Sequence, residues 1–310
     1  MRIRKKQVTG QEYYYLEETI RFEKPKAYSI FLGRRLPDKS NLETAKRKLA
    51  EKIYKEILGS IIHLYLTEGQ LIEAEKHRRR YFAKMKKFSK ASQDEKDEID
   101  TVNFVYTTLT TEGVPITKED ADLAYKFTQK NVHSIRDENL QVALDMIKGL
   151  RYAKDSKKGM SLQFLLELHK IIMAEYPNKD PGALRAKQAY IYLKSYEKVE
   201  EIGFRPPSPD QIKSKLTELV GWYNENVGKL NAIELAALFH LRFYMVHPFE
   251  DGNKRVSRLI LNKALLDSGY PMLNISKNAQ KYFDALIHSV EKKNERPFVE
   301  FVFGQFIEFI

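Results

Sequence analysis

The chain has 310 residues, and 43% of them are hydrophobic, so it can bury a sizeable core and is not a disordered polypeptide. It has no cysteine, which excludes disulfides, thiolate zinc sites and cysteine nucleophiles. The formal net charge is +11, and residues 1–100 hold 24 lysines and arginines against 16 acidic residues. Such a basic region indicates either nucleic acid as a partner or a solvated lysine-rich surface.

We expect no association with a membrane. No stretch approaches the roughly 18 consecutive apolar residues of a membrane-spanning helix. The basic run at residues 1–6 is not followed by the apolar segment of a secretory signal. Together with the lack of cysteine, this predicts a cytoplasmic protein.

Residues 2–34 have the β-branched and aromatic composition of short strands, with Gly10 in a hairpin turn. The predicted strands are Arg2–Val8, Glu12–Ile20 and Lys26–Leu32. Tyr13, Tyr14 and Tyr15 could stack on nucleic-acid bases. In a strand, however, the first and third share one face and the second lies on the other, so ordinary packing is the favoured interpretation.

A turn at residues 37–40 precedes apolar residues at helical spacing up to Ile62, and a basic helix is predicted over residues 71–90. The composition becomes acidic at residues 94–98, so we place a domain boundary there, with a basic domain over 1–91 and a second domain over 92–310. Helical periodicity then covers about 93–111, 117–130, 134–155, 160–174, 208–227, 231–246, 253–268, 276–293 and 296–309.

Residues 186–205 interrupt this helical pattern with a β-rich composition and are followed by two prolines. A lone hairpin among helices is not stable by itself. The segment therefore predicts either a cover over a site or an arm that binds a partner.

The segment from His247 to Arg258 carries the clearest chemistry, because it joins two predicted helices through a polar loop. Pro248 disfavours helical backbone at His247, and a helix that starts after such a loop attracts phosphate at its N-terminus. Arg255 and Arg258 share one helix face and can clamp phosphates, while Asp251 offers the oxygen ligand that Mg²⁺ prefers. With His247 as a general base, the residues predict a site for nucleotide phosphates.

This segment resembles the signature H-x-F-x-(D/E)-G-N-(G/K)-R-x-x-R of the Fic/Doc family, and it meets every position. The surrounding chain agrees over about residues 100–305, including residues 181–185 and 236–240. The resemblance implies a mainly α fold: a Fic-type helical core with a β-hairpin flap over about 186–205. The smaller N-terminal region of β-hairpin and helices precedes it.

Enzymes with this signature transfer AMP from ATP to a hydroxyl of a target protein, so the resemblance implies a protein adenylyltransferase. In that assignment His247 deprotonates the target hydroxyl and Asp251 holds Mg²⁺. The implied nucleotide-binding residues are Gly252, Asn253, Lys254, Arg255 and Arg258. The implied flap residues, which would hold the target as an added strand, are Gln188, Ala189, Tyr190, Ile191, Tyr192 and Leu193.

Residues 108–113 resemble the family's inhibitory pattern (S/T)-x-x-x-E-(G/N), which implies an inhibitory helix over about 104–112. In relatives the glutamate pairs with the second signature arginine, here Arg258, so that Glu112 would keep this arginine from the γ-phosphate. Relatives often carry Ser and an aliphatic residue before the glutamate, where this chain has Thr110 and Thr111. The alternative is a plain helix that ends at Gly113.

Other functions stay open. Lys254 occupies a position that is usually Gly in the adenylylating branch and Lys in the Doc branch, so a Doc-like phosphotransferase is one alternative, and removal of AMP by the same site is another. A third is a nucleic-acid-binding regulator that works through residues 1–90. We expect self-modification, and the target protein and a homo-oligomeric state are left open.

Overall fold

The computed structural model describes residues 1–21, 25–130, 132, 135–194, 201–275 and 279–309. They form two units, Met1–Ile61 with Glu68–Glu75 and Ile62–Thr67 with Lys76–Ile310. The acidic composition near residue 92 thus lies inside the second unit. Among the helices of the described ranges, none combines the length and the apolar character needed to cross a bilayer.

The first unit is an antiparallel sheet with a helix on one face. The sheet has the order β1–β2–β3 and is followed by α1, and the elements are β1 (Arg2–Val8), β2 (Gln11–Arg21), β3 (Pro25–Gly33) and α1 (Lys39–Leu58). Leu16 and Tyr28 of the sheet form a buried cluster with Leu49 and Ile53 of α1. The three predicted strands are therefore confirmed: β1 has the predicted bounds, and β2 and β3 each extend one residue further at both ends.

Two predicted helix ends are wrong. Helix α1 ends at Leu58 instead of continuing to Ile62, because Gly59 and Ser60 follow and Ile62 pairs with Leu230 in an isolated bridge. Helix α2 (Glu68–Met85) stops before residue 90. There Ser89 starts a new helix, since its Oγ accepts the backbone N–H of Ser92 at 3.2 Å.

The second unit has the predicted helical core, which confirms the mainly α fold. Its helices from residue 90 onward are α3 (Lys90–Thr111), α4 (Lys118–Gln129), α5 (Glu138–Asp155), α6 (Leu162–Ile172), α7 (Pro209–Asn226), α8 (Ala232–Val246), α9 (Asn253–Asp267), α10 (Ala279–Glu291) and α11 (Arg296–Phe309). Helices α8 and α9 are buried along almost their whole length. The polar loop 247–252 joins them, so the predicted site rests on the most deeply buried helices of the unit.

The predicted flap is a two-stranded antiparallel hairpin of β4 (Ile191–Lys194) and β5 (Glu201–Phe204). Ile191 pairs with Phe204 and Lys194 with Glu201. The predicted flap residues 195–200 lie outside the described residues. At the base of the hairpin, the Phe204 ring lies 6.1 Å from that of Tyr244 in α8, so the hairpin emerges beside the loop 247–252.

Candidate active site

His247 ends helix α8 in a left-handed backbone conformation, with φ 47° and ψ 60°. Its N–H still donates to the Phe243 carbonyl at 3.1 Å, while Pro248 prevents another helical turn, as predicted. The ring Nδ1 lies 3.3 Å from the Tyr244 carbonyl oxygen. With Nδ1 donating to that oxygen, Nε2 is the acceptor that a general base needs.

Burial, with the nearby Arg185 and Lys254 cations adding to it, lowers the pKa of His247 to about 4. The imidazole is therefore neutral at neutral pH. A neutral ring keeps the Nε2 lone pair available to take a proton, which is the state that the predicted role requires.

Asn253 closes the loop by a reciprocal pair of hydrogen bonds with the backbone of Phe249. Its Oδ1 accepts the Phe249 N–H at 3.0 Å, and its Nδ2 donates to the Phe249 carbonyl at 2.9 Å. Both residues are buried. The asparagine that was predicted to line the nucleotide loop thus also fixes the shape of that loop.

His169 of α6 holds the same loop through hydrogen bonds, a role that sequence reasoning missed. Its Nδ1 accepts the Gly182 N–H at 2.9 Å, so the proton is on Nε2, which donates to the Asp251 carbonyl at 3.1 Å. Its ring stacks on Phe249 with centroids 3.7 Å apart. Burial lowers the pKa of His169 to about 4, so the ring stays neutral. In the sequence it is one histidine in an apolar helix, which gives no signal of this role.

Arg185 is the second residue that sequence reasoning left without a role. It is buried, and its Nε donates to the His247 carbonyl at 2.8 Å. Its Nη1 and Nη2 donate to the carbonyls of Lys187 and Pro207 at 2.8 and 2.6 Å. One guanidinium therefore joins the loop 247–252 to both ends of the hairpin segment. The position of Arg185 within residues 181–185, which contribute to the family resemblance, was the one sequence signal for this role.

Gly252 has φ 74°, a conformation that favours glycine, and lies in the tightest part of the loop. A Cβ built there would be 2.8 Å from the Met173 sulfur and 3.4 Å from the His169 ring. Glycine is therefore required both by its backbone angle and by the close packing beneath it.

Glu112 forms an ion pair with Arg255, not with Arg258 as the resemblance implied. Glu112 Oε2 lies 3.1 Å from Arg255 Nε, and both side chains are nearly buried. Glu112 follows the last residue of α3, and its carboxylate therefore meets the first turn of α9. Arg258 lies one turn further along α9, where its Nη1 donates to the Thr107 carbonyl at 3.3 Å.

Several polar atoms between α3 and α9 are buried without a hydrogen-bond partner among the described residues. They are Thr108 Oγ1, Glu112 Oε1, Arg255 Nε, Arg255 Nη1 and Arg258 Nη2. The Glu112–Arg255 pair is therefore an ion contact without good hydrogen-bond geometry. Unsatisfied buried N–H groups are costly, and phosphate oxygens are the acceptors that suit guanidinium groups.

Asp251 and Lys254 lie at the open side of this cluster. The Asp251 carboxylate is 46% exposed and lies 3.3 Å from Arg255 Nη2. Lys254 Nζ lies 5.4 Å from the centre of the Phe283 ring. Among the described residues, no group of three or more His, Cys, Asp or Glu could hold a metal ion.

The predicted flap residues occupy different positions in and next to the hairpin. The Gln188 amide donates to the carbonyls of Ala189 and Pro206 at 3.0 and 3.1 Å, so it lies at the base of the hairpin and not in a strand. Tyr190 and Tyr192 are 50% and 67% exposed, with ring centroids 4.8 Å apart. Ile191 starts β4, and the side chain of Leu193 lies outside the described residues.

Comparisons with known proteins show which proteins the chain is similar to. Residues 159–265 match the Fic/DOC family. Protein adenylyltransferase fic-1 of Caenorhabditis elegans is 30% identical over 173 residues, which is 54% of this chain and 32% of that protein. Protein adenylyltransferase Fic of Culex quinquefasciatus is 32% identical over 145 residues, 46% of this chain and 27% of that protein. The matches thus cover about a third of the length of these relatives.

Two solved structures share the fold. A Fic-domain-containing signalling protein from Bacteroides thetaiotaomicron superposes with a TM-score of 0.65 at 24% identity, over 76% of this chain and 93% of that one. Fic-1 from C. elegans superposes with a TM-score of 0.62 at 21% identity, over 88% of this chain and 76% of that one.

Proposed function

Because the chain carries a Fic/DOC-family domain over residues 159–265, we propose that it transfers AMP from ATP to a hydroxyl of a target protein. One observation carries the proposal: a neutral histidine, a carboxylate and two buried, incompletely bonded arginines converge where α8 ends and α9 begins. The relatives named protein adenylyltransferase support the same reaction.

In this proposal His247 Nε2 takes the proton of the target hydroxyl as its oxygen attacks the α-phosphorus of ATP. The bond from that phosphorus to the bridging oxygen breaks, and pyrophosphate leaves with the electron pair. Phosphoryl transfer of this kind depends mainly on positioning and on neutralisation of charge. The free N–H groups of Arg255 and Arg258 and the N-terminus of α9 would supply that charge, and Lys254 would add to it.

The donor set fits a magnesium ion only together with nucleotide. Asp251 is a hard oxygen ligand at the exposed edge of the arginine cluster, and the described residues offer no complete protein cage. Mg²⁺ bound there would neutralise phosphate charge. The protein residues then have separate tasks: His169 and Asn253 hold the loop, and Arg185 fixes its distance from the flap.

The flap is proposed to hold the target segment as an added strand. A two-stranded hairpin offers outer backbone groups for such pairing, and exposed Tyr190 and Tyr192 could pack against the target chain. Backbone pairing places a hydroxyl without demanding a particular target sequence.

We propose that Glu112 restrains the site. Its carboxylate pairs with Arg255, so an ATP phosphate must displace it to use this guanidinium. Arg258 is also held, through the Thr107 carbonyl of the same helix. Both arginines therefore depend on the end of α3, and its displacement would free them together.

Two reactions compete with this proposal at the same site. A Doc-like transfer of the γ-phosphoryl group is suggested by Lys254, whose ammonium group would bring a bulky positive charge to the phosphate loop. Removal of AMP, with Glu112 orienting water, is the other. Two buried arginines suit a nucleotide whose outer phosphates enter the cluster, which favours transfer of AMP.

Mg²⁺ dependence, self-modification, a homo-oligomeric state and a cytoplasmic location remain predictions. Nucleic acid as a partner of residues 1–90 is a further prediction, and it does not depend on the transfer chemistry.

The experiment for the proposed function is intact-mass measurement after incubation with ATP and Mg²⁺, on the chain itself and on lysate proteins. We expect the mass of an adenylyl group on protein. A mass increase of a phosphoryl group would favour the Doc-like reaction instead. No covalent addition by either the natural chain or the Glu112→Gly variant would contradict the proposal.

A further inference from the structure

The three-stranded sheet of the first unit has two unlike faces. Helix α1 covers one face, where Leu16 and Tyr28 are buried. By the strand register, Tyr13 and Tyr15 of β2 lie on the opposite face with Phe31 of β3. We call this second surface the aromatic face, and it includes Arg2, Arg4, Lys6, Tyr13, Tyr15, Glu17, Thr19, Ser29, Phe31 and Arg34.

The ring of Phe31 contacts the rings of both Tyr13 and Tyr15 on the aromatic face. The Phe31 centroid lies 5.8 Å from that of Tyr13 and 5.4 Å from that of Tyr15. The tyrosines therefore pack, as the sequence favoured, but their partner Phe31 is 55% exposed. A large exposed ring beside two further rings is an unusual surface feature and is typical of a binding site.

Cations lie directly over these rings. Lys6 Nζ is 4.8 Å from the Tyr15 centroid, and Arg34 Cζ is 5.7 Å from the Tyr13 centroid. Positive charge and exposed aromatic rings on one strip are the two components of a surface that binds single strands, because one neutralises phosphates and the other stacks on bases.

The charge of the aromatic face is strongly one-sided. Glu17, its one carboxylate among the residues named, is nearly buried and pairs with Arg4 at 3.2 Å and Lys6 at 2.7 Å. Arg2 lies opposite Glu17 in the register. Four cations therefore face one carboxylate, which leaves a surplus of three positive charges for an anionic ligand.

We propose that the aromatic face binds single-stranded RNA. A base can stack on the exposed Phe31 ring, and the cations that lie over the two flanking tyrosine rings can contact the phosphates on either side of that base. Thr19 and Ser29 are exposed and lie on the same face by register, so their hydroxyls can bond to ribose 2′-OH groups. A duplex keeps its bases stacked inside the helix and cannot use the rings.

The inference is independent of the proposed AMP transfer, since the aromatic face lies wholly within the first unit and contains no signature residue. Failure of one leaves the other unchanged. AMP transfer is therefore measured on each variant below as a separate readout, and we expect it to match the natural chain.

The test is fluorescence anisotropy of the full chain with a short labelled RNA of mixed sequence. Neutralising about three phosphates predicts a slope near −2 for log affinity against log salt, so tenfold more salt weakens binding about 100-fold. The same sequence as single-stranded DNA and as duplex RNA should bind more weakly. Equal or tighter binding of either one, or affinity that does not change with salt, overturns the proposal.

Matched variants test the residues. Phe31→Leu keeps an apolar side chain but loses the aromatic ring, and it should weaken RNA binding about 5- to 100-fold. Phe31→Trp keeps an aromatic ring and should bind RNA with unchanged affinity. Lys6→Ala should weaken RNA binding and reduce the dependence of affinity on salt. Lys5→Ala is the control: it removes a neighbouring cation that pairs with Glu12, and it should change neither quantity. Melting curves confirm folding. Normal affinity of a folded Phe31→Leu chain contradicts the stacking role.

Discussion

The loop 247–252 and the end of α3 at residues 107–113 meet at the same arginines but are stabilised in opposite ways. In the loop, Asn253 closes both bonds to Phe249, and His169 uses both ring nitrogens. At the end of α3, Thr108 Oγ1 and Glu112 Oε1 have no hydrogen-bond partner among the described residues.

Under the proposed function, this difference separates a rigid part, the loop 247–252, from a part that can be displaced, the end of α3. A fully bonded loop keeps the base and the helix N-terminus in position, as preorganised catalysis requires. An incompletely bonded carboxylate is easier to displace, because a phosphate can offer the arginines better bonds than Glu112 does. If Glu112 restrains the site as proposed, regulation acts on α3 and not on the loop.

The strongest way to test the loop is His247→Ala. The change removes the base but none of the backbone bonds that hold the loop, so transfer should fall about 10²- to 10⁴-fold while ATP binding stays near its original value. Initial rates of label transfer and ATP titration measure the two separately. A variant that still transfers AMP at the original rate would show that His247 is not the base.

The second test breaks the contact at α3. Glu112→Gly should raise self-modification about 5- to 150-fold, since one displaced charged pair changes the equilibrium by about 1–3 kcal/mol. The variant should also gain more thermal stability from ATP than the natural chain does, because the buried Arg255 then keeps only the half-exposed Asp251 carboxylate as a counter-ion.

Glu119→Gly provides the control, because it removes an equivalent but exposed carboxylate from the start of α4. It should leave self-modification unchanged. If folded Glu112→Gly behaves like this control, Glu112 does not restrain the site.

A smaller effect is expected from the residue beneath the loop. His169→Ala removes the bonds to Gly182 and Asp251, and the loosened loop should lower kcat/KM for ATP about tenfold. His169→Gln can still donate to the Asp251 carbonyl and should recover part of that loss. Steady-state kinetics at matched thermal stability are the measurement. Equal kcat/KM for both variants would argue that His169 only fills space.

The last test concerns pH. The pKa of His169 is lowered to about 4 by burial, from an ordinary value of 6.5. As the pH falls from 6.5 towards 4, His169 is protonated in the unfolded chain but stays neutral in the folded chain. This difference lowers the free energy of unfolding by on the order of 3 kcal/mol. Above pH 6.5 the histidine has no effect on this balance.

Urea unfolding at pH 7 and pH 4.5 measures this loss. His169→Gln has no titrating ring, so its stability should fall less between these two values than that of the natural chain. The same loss in both proteins would mean that His169 does not carry the pH dependence.

The sequence was sufficient for much of this architecture. Pro248 and Gly252 act locally, so the end of α8 and the start of α9 could be predicted from neighbouring residues. Glu112 was found by its resemblance to a short pattern. The partner predicted for Glu112, Arg258, was wrong. Whether Arg255 or Arg258 contacts this carboxylate depends on how α3 lies along α9, which no local sequence pattern determines.

The supporting residues were missed for the same reason. His169 and Arg185 lie 82 and 62 residues in sequence from their loop partners Asp251 and His247. Their roles exist only after the chain has folded. The aromatic face could be predicted in part from Tyr13 to Tyr15, but the exposure of Phe31 depends on which sheet face α1 covers.

The most direct test of the central claim uses ATP labelled at the α-phosphate and, in a separate reaction, at the γ-phosphate. Glu112→Gly is the protein of choice, because its Arg255 is freed from the carboxylate that would compete with a nucleotide phosphate. The arginine cluster predicts an orientation with the outer phosphates inside it, so the α label should appear on protein and the γ label should leave with pyrophosphate. If only the γ label is transferred, Lys254 has reversed the nucleotide and the chain is a phosphotransferase, which contradicts the proposed transfer of AMP.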